Sequence, residues 1–226
     1  MEHHDNLYGR RKGKPLSPRR LGLMGTLYPK LAVVVATPCP GDLGALFPFD
    51  VGEIRLEIGF GGGEHLLARA AARQDIGFIG VEPFQNGMAK AVAGIADRRL
   101  RNIRLFDGDA VRILDWLPSA SIAEIDLLYP DPWPKKRHFK RRFVSTENLD
   151  RFARVIVPGG IFRFASDIDS YVEWTLLHLT RRDDFDWTAE RADDWRQPFP
   201  DWPGTRYEAK AVAEGRKPAY LTFERR

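Results

Sequence analysis

From Ile54 onward, short apolar runs alternate with longer amphipathic stretches, a pattern that predicts strands and helices in turn. Strands are expected at 54–58, 76–81, 103–106, 125–129 and 161–165. Between the second and third, Phe84, Met88, Ala91, Val92 and Ile95 share one helical face. A helix should open at Glu64, after the turn Gly59-Phe60-Gly61-Gly62-Gly63; a short one should cover 111–116 and another 171–179. Leu149, Phe152, Ala153 and Ile156 form a further helical stripe, with Pro158-Gly159-Gly160 as its stop signal. The alternation implies an α/β fold, a doubly wound, mostly parallel sheet with helices on both faces. Residues 1–49 stand apart. They read as a basic N-terminal arm, helical near 27–35, followed by a linker marked by Pro38, Pro40, Gly41, Gly44 and Pro48. The expected domain is 50–226.

Composition narrows the class. Hydrophobic residues make up 43% and charged residues 29% of the 226, the make-up of a soluble globular protein. No segment approaches the ~18 apolar residues of a membrane span. Met1-Glu2-His3-His4-Asp5 lacks the charged-then-apolar order of a signal peptide. Cys39 is the only cysteine, which excludes an intrachain disulfide and a cysteine-based zinc site. No metal is expected, a reducing cytoplasmic setting fits, and monomer and homodimer are both open. Net charge is +4, but it is unevenly spread. Arg10, Arg11, Lys12, Lys14, Arg19, Arg20 and Lys30 crowd the arm, and six of the eight residues 135–142 are Lys or Arg. The acidic stretch 183–194 is expected to form a solvated face. Two basic segments point to a polyanionic partner.

In a parallel sheet of this kind, ligands bind beyond the carboxyl ends of the strands. Glu57, Glu82, Asp109, Asp131 and Asp167 fall at the ends of successive expected strands. The glycine turn fails the dinucleotide spacing, because Gly59-x-Gly61-x-x ends on Glu64. Glu57 and Glu64 are also electrostatically wrong beside a pyrophosphate. They suit a cofactor with positive charge and no phosphate. S-adenosylmethionine, with its sulfonium and ammonium, qualifies, and glycines let the backbone approach it. Glu82 is placed to accept ribose hydroxyls, and Gly108-Asp109-Ala110 to meet an adenine.

The most distinctive stretch follows the fourth strand. Pro130-Asp131-Pro132-Trp133-Pro134 leads into Lys135-Lys136-Arg137-His138-Phe139-Lys140-Arg141-Arg142. Prolines fix the backbone around a carboxylate and an aromatic ring, beside a surface that attracts phosphate. Chemistry on a base of a nucleic acid needs that combination. Four further segments belong with it: Leu56-Glu57-Ile58-Gly59-Phe60-Gly61-Gly62-Gly63-Glu64-His65, Gly80-Val81-Glu82, Ala165-Ser166-Asp167 and Thr205-Arg206-Tyr207-Glu208. Together with Gly108-Asp109-Ala110 they make the chain resemble the bacterial tRNA (guanine-N7-)-methyltransferases, whose fold is the Rossmann-like class I S-adenosylmethionine-dependent methyltransferase fold. The resemblance covers roughly residues 50–226 and continues weakly into the arm.

What the resemblance implies is methylation of a variable-loop guanine of tRNA (position 46) at N7. It implies that Glu57, Gly59, Gly61, Gly63, Glu82, Asp109 and Asp131 meet the cofactor. Lys135, Asp167, Thr205, Arg206, Tyr207 and Glu208 would meet the substrate. Arg137, His138, Phe139, Lys140, Arg141 and Arg142 would touch the RNA. Asp131 is the candidate catalytic residue. One position departs from the pattern: Ile168 follows Asp167 where an aromatic is expected.

Guanine N7 carries a lone pair and no proton, so methyl transfer to it needs no general base. Asp131 would stabilise and orient that transfer by its charge. Guanine also presents N1–H and an exocyclic amine, which one carboxylate can accept together; Asp167 or Glu208 is placed to do so. Trp133 is either a stacking surface for an extruded base or a core residue. Three other functions fit parts of the pattern. They are methylation of an exocyclic amine of another RNA, an inactive RNA-binding protein on the same fold, and a nicotinamide-dependent oxidoreductase.

Overall fold

The computed structural model describes residues 11–226. Arg10 of the basic arm and the Met1-Glu2-His3-His4-Asp5 segment lie outside the described residues. The chain forms two compact units, with the division between Leu117 and Pro118.

The first unit opens with α1 (Pro18–Thr26) and α2 (Tyr28–Leu31). Ser17 caps α1, with Pro18 at its first position, a combination that favours a helix start. α2 falls inside the expected stretch 27–35, whereas α1 lies ahead of it and the chain is no longer helical at Val33. Val33 instead donates its amide to Leu105 O at 2.8 Å. The arm is docked: α1 packs on α4, described below, and Leu23, Met24, Leu27 and Tyr28 lie against the core. Three parallel strands follow, β1 (Ile54–Ile58), β2 (Gly77–Val81) and β3 (Ile103–Phe106), in the order β3-β2-β1. The helices α3 (Glu64–Ala72), α4 (Gln85–Arg98) and α5 (Ala110–Trp116) connect and follow them. Met88, Ala91, Val92 and Ile95 form the buried face of α4 against Leu66, Ile103 and Leu105. Each large apolar side chain buried there contributes about 1.5–3 kcal/mol. Phe84 is the N-cap of α4 and not part of its helical face.

The second unit contains β4 (Ile122–Leu128), α6 (Thr146–Val155), β5 (Ile156–Ser166), α7 (Asp169–Leu179), β6 (Phe185–Trp187), α8 (Arg206–Ala213) and β7 (Ala219–Arg225). β4 and β5 are parallel, whereas β7 runs antiparallel to both β5 and β6. Phe152, Phe162 and Phe223 form its aromatic centre, with ring centroids 4.9 and 6.1 Å apart along the series. Ile156 does not continue the α6 stripe. It begins β5, and Pro158-Gly159-Gly160 lies inside that strand at a register irregularity against β4. The acidic stretch 183–194 is only partly a solvated face, because Phe185–Trp187 is a strand whose Phe185 is buried. Among the described residues no helix is long and apolar enough to cross a membrane.

Candidate active site

In the first unit the candidate cofactor residues gather at the carboxyl ends of β1 to β3. Glu57 is buried near the end of β1, and its Oε2 lies 2.8 Å from His65 Nδ1 in the first turn of α3. Nothing local in the sequence announces this pairing, because the two residues face each other only across the glycine turn. Glu82 follows β2 and is also buried. Its Oε2 accepts from the Gly61 amide at 2.6 Å, and its Oε1 from the Phe84 amide at 2.8 Å. Asp109 caps α5, accepting from the Val111 amide at 2.9 Å.

Two glycines of the turn are needed for its shape. Gly63 has φ +79°, and a Cβ there would lie 2.9 Å from the Ala91 Cβ of α4. Gly59 has φ +74° with nothing within 4 Å of where a Cβ would point, which leaves open space over the end of β1. Gly61 shares the left-handed backbone. The charge here is smaller than the sequence suggests, because Glu64 is paired with Lys90. The case against a bound pyrophosphate therefore rests on buried Glu57 and Glu82.

In the second unit the chain leaves β4 through two strained positions, Tyr129 at φ +50° and Trp133 at φ +44°. Between them Asp131 is exposed and makes no hydrogen bond among the described residues. Lys135, Lys136, Arg137 and Lys140 are exposed around the 3₁₀ turn Lys136–Arg141. Trp133 is half-buried; the Arg141 guanidinium sits 4.9 Å from its ring centroid and His138 meets it edge-on at 5.9 Å. Desolvation, and then the cations of Arg141, Arg137, Lys135 and Lys140, hold the His138 imidazole below its usual range. His138 is thus neutral at pH 7 and adds no charge toward a phosphate. Phe139 is half-buried against Trp174.

Arg142 corrects the sequence reading. Its side chain is 3% exposed and bonds to Pro132 and Ser170, so it cannot lie on an RNA phosphate. Its neighbours in sequence gave no sign of this, since burial depends on Tyr171 and Trp174 of α7.

Asp167, just after β5, is paired through Oδ2 with Arg216 at 2.5 Å. Thr205 and Glu208 form the capping box of α8, with Thr205 Oγ1 accepting from the Glu208 amide at 3.0 Å. The Glu208 carboxylate also accepts from Trp202 Nε1 at 2.7 Å and from the Tyr220 hydroxyl. Phe199, Trp202 and Tyr220 pack edge-to-face around it. Burial, then Tyr220, Glu208 and Asp167, push the Tyr129 phenol far above its usual range. Arg206 and Tyr207 are exposed, joined by a 2.9 Å hydrogen bond. Of the two candidate guanine readers, Glu208 is committed to its own unit's structure. Asp167 carries one ion pair.

Parallel strands with connecting helices, a glycine turn and buried acids at strand ends define a Rossmann-like α/β fold of the class I methyltransferase kind. Solved structures share it. The 16S rRNA methyltransferase KamB matches with a TM-score of 0.53 and 17% identity, covering 78% of this chain and 89% of that one. An rRNA methylase from Streptococcus thermophilus matches at 0.51 and 13%, covering 81% and 91%. A Streptococcus mutans methyltransferase solved in complex with SAH matches at 0.52 and 9%, covering 81% and 93%. At these identities the likeness is one of fold alone.

Sequence comparison is more specific. Residues 52–221 match a family model described as "Putative methyltransferase". The tRNA (guanine-N(7)-)-methyltransferase of Rhizobium meliloti (strain 1021) is 62% identical over 218 residues, which is 96% of this chain and 94% of that protein. The enzyme of the same name from Brucella melitensis biotype 1 is 58% identical over 226 residues, 100% of this chain and 97% of that one. The chain belongs to the tRNA (guanine-N(7)-)-methyltransferase family.

Proposed function

We propose that this enzyme uses S-adenosylmethionine to methylate N7 of guanine 46 in the variable loop of cytoplasmic tRNA. The observation that carries the cofactor assignment is the pair of buried carboxylates, Glu57 and Glu82, flanking an open glycine turn. Buried anions exclude a pyrophosphate and favour a cationic ligand. The SAH bound by the Streptococcus mutans neighbour supports the same choice. S-adenosylmethionine would supply an electrophilic methyl group on sulfur. Once bound, it would give that methyl to the N7 lone pair, sulfur keeping the electrons of the broken bond, so the surrounding residues need only position and charge.

Glu57, oriented by His65, would face the ammonium end of the cofactor, and Glu82 the ribose. Asp109 and the glycine turn would complete the cradle. Asp131, on an exposed turn, would supply the charge that steadies the positive centre as it passes from sulfur to the base. No proton moves. Asp167 would accept guanine N1–H and the exocyclic amine, and the exposed cations of 135–141 would hold phosphates.

The test is to incubate unmodified tRNA transcript with labelled S-adenosylmethionine and map the modified base. Label confined to N7 of guanine 46, and lost when that guanine is replaced by adenine, is the expected result. Label on an exocyclic amine or at another position would overturn the reading.

A further inference from the structure

Arg142 ends the basic run, yet its side chain turns into the second unit. Nε donates to Pro132 O at 3.0 Å, Nη1 to Ser170 O at 2.7 Å and Nη2 to Ser170 Oγ at 2.9 Å. The guanidinium lies 3.7 Å from the Phe139 ring centroid, with Tyr171 at 4.8 Å and Trp174 at 5.5 Å. Among the described residues no carboxylate hydrogen-bonds to it. This is an expensive arrangement. A cation is taken out of water beside the first turn of α7, where the helix end is itself partly positive. An apolar side chain would fill the same space without that penalty.

What the guanidinium joins explains why the charge is kept. Pro132 directly follows Asp131, and Ser170 lies in the first turn of the helix that begins just after Asp167. The loop after β4 and the first turn of α7, which the Asp167 loop enters, are therefore tied to one rigid, planar group. Three directed bonds to a loop and a helix turn need a fork, which lysine lacks.

We propose that Arg142 is a positioning residue for methyl transfer, fixing the Asp131 turn relative to the Asp167 loop, and not a contact to RNA. This rests on the reading of Asp131 as the carboxylate beside the reacting atoms.

The test uses the full chain with Arg142→Lys, Asp131→Asn and the double variant. Single-turnover methylation is measured at saturating S-adenosylmethionine and tRNA, beside tRNA affinity against salt and thermal melting. Arg142→Lys is expected to slow the chemical step about 10- to 100-fold, the scale of a small misplacement of reacting groups. Its tRNA affinity and salt slope should match wild type. Because Arg142 acts through Asp131, the double variant should be about as slow as Asp131→Asn alone. Guanidinium ion at millimolar concentration should restore part of the rate to a folded Arg142→Ala variant and none to Arg141→Ala. If Arg142→Ala does not fold, the lysine variant and the double variant decide the matter. A wild-type rate with a salt slope flattened by about 0.7–0.9 would make Arg142 a phosphate contact and overturn the proposal. Losses that multiply in the double variant would also overturn it, leaving Asp131 in place. A wild-type rate for Asp131→Asn would overturn the reading of Asp131 itself and the proposal with it.

Discussion

The Gly61 amide donates to Glu82 Oε2 at 2.6 Å, so the turn proposed to face the cofactor is built around the carboxylate that would hold its ribose. The other oxygen fixes the entry to α4 through the Phe84 amide at 2.8 Å. A carboxylate offers about four acceptor positions, so two amides and two ribose hydroxyls can share it. Binding and local structure here depend on one side chain.

Glu82→Ala is therefore expected to have two effects. It should weaken S-adenosylmethionine binding by about 1–3 kcal/mol, the worth of a charged hydrogen bond left unmade. It should also lower Tm by several degrees, because two amides lose a buried acceptor and a chain of this size shifts ~2–4 °C per kcal/mol. Calorimetry and melting measure the two separately. Unchanged cofactor affinity in the folded variant would remove Glu82 from the site, and an unchanged Tm would mean the amides find other partners.

The basic run should bind RNA through its exposed members only. Lys136→Gln with Lys140→Gln is expected to flatten the log–log salt slope of tRNA binding by about 1–2 units, at roughly 0.7–0.9 per phosphate. His138→Gln should leave the slope unchanged near pH 7.5. The sign follows from the depressed histidine: a pKa below the usual value keeps the ring neutral at that pH, so no cation is lost. Titrations in fluorescence anisotropy at several salt concentrations give the slopes. Equal slopes for wild type and the double variant would make the run an ordinary solvated loop.

How much of this was legible in the sequence depended on whether the signal was local. β1 and β3 have the expected bounds, and α3 opens at Glu64, because short apolar runs and a glycine turn encode them directly. The strand expected at 161–165 lies inside β5, but its first residues, from Ile156, read as a helix end because Pro158-Gly159-Gly160 is also what stops a helix. In the fold, a Cβ at Gly160 would lie 2.9 Å from Ala123 O, so that glycine serves a close approach between strands. β7 went unread, as its antiparallel partners lie far away in the chain. The acids at strand ends were visible as residues, but their partners were not. His65 on Glu57, Lys90 on Glu64, Arg216 on Asp167 and the rings around Arg142 are all tertiary facts.

The two candidate guanine readers should separate by what their loss damages. Glu208 accepts from Trp202 Nε1, the Tyr220 hydroxyl and the Thr205 amide, so Glu208→Ala leaves several donors unmet. Its melting temperature should fall clearly, with Thr205→Ala costing about 1 kcal/mol through the cap alone. Asp167 is 13% exposed but its partner Arg216 is 39% exposed and can turn to water, so Asp167→Ala should melt within a few degrees of wild type. Its methylation rate at subsaturating tRNA should drop about 10²-fold or more, the scale at which buried polar readers discriminate bases. The reverse pattern, with Asp167→Ala unstable and Glu208→Ala stable but inactive, would move guanine reading to Glu208.

Asp131 offers the sharpest separation of charge from shape. It is exposed and makes no hydrogen bond among the described residues, so neither Asp131→Asn nor Asp131→Ala should disturb folding. N7 has nothing to deprotonate, which leaves the carboxylate to act by its charge or by holding a partner in place. Asparagine keeps the shape and removes the charge, whereas alanine removes both. If charge governs the step, the two variants should lose single-turnover rate by a similar factor, about 10²-fold or more, as for one preorganised electrostatic group. If a directed hydrogen bond governs it, asparagine should retain far more activity than alanine. The pH profile of the rate should show no limb for a general base, since N7 has no proton to give up. tRNA affinity should persist in both variants if, as proposed, the phosphate contacts come from the exposed cations of the neighbouring run. Measurement at saturating cofactor and tRNA isolates the chemical step from binding. Near wild-type turnover in both would reduce the proline-framed turn to a structural element and place the electrostatics of methyl transfer elsewhere.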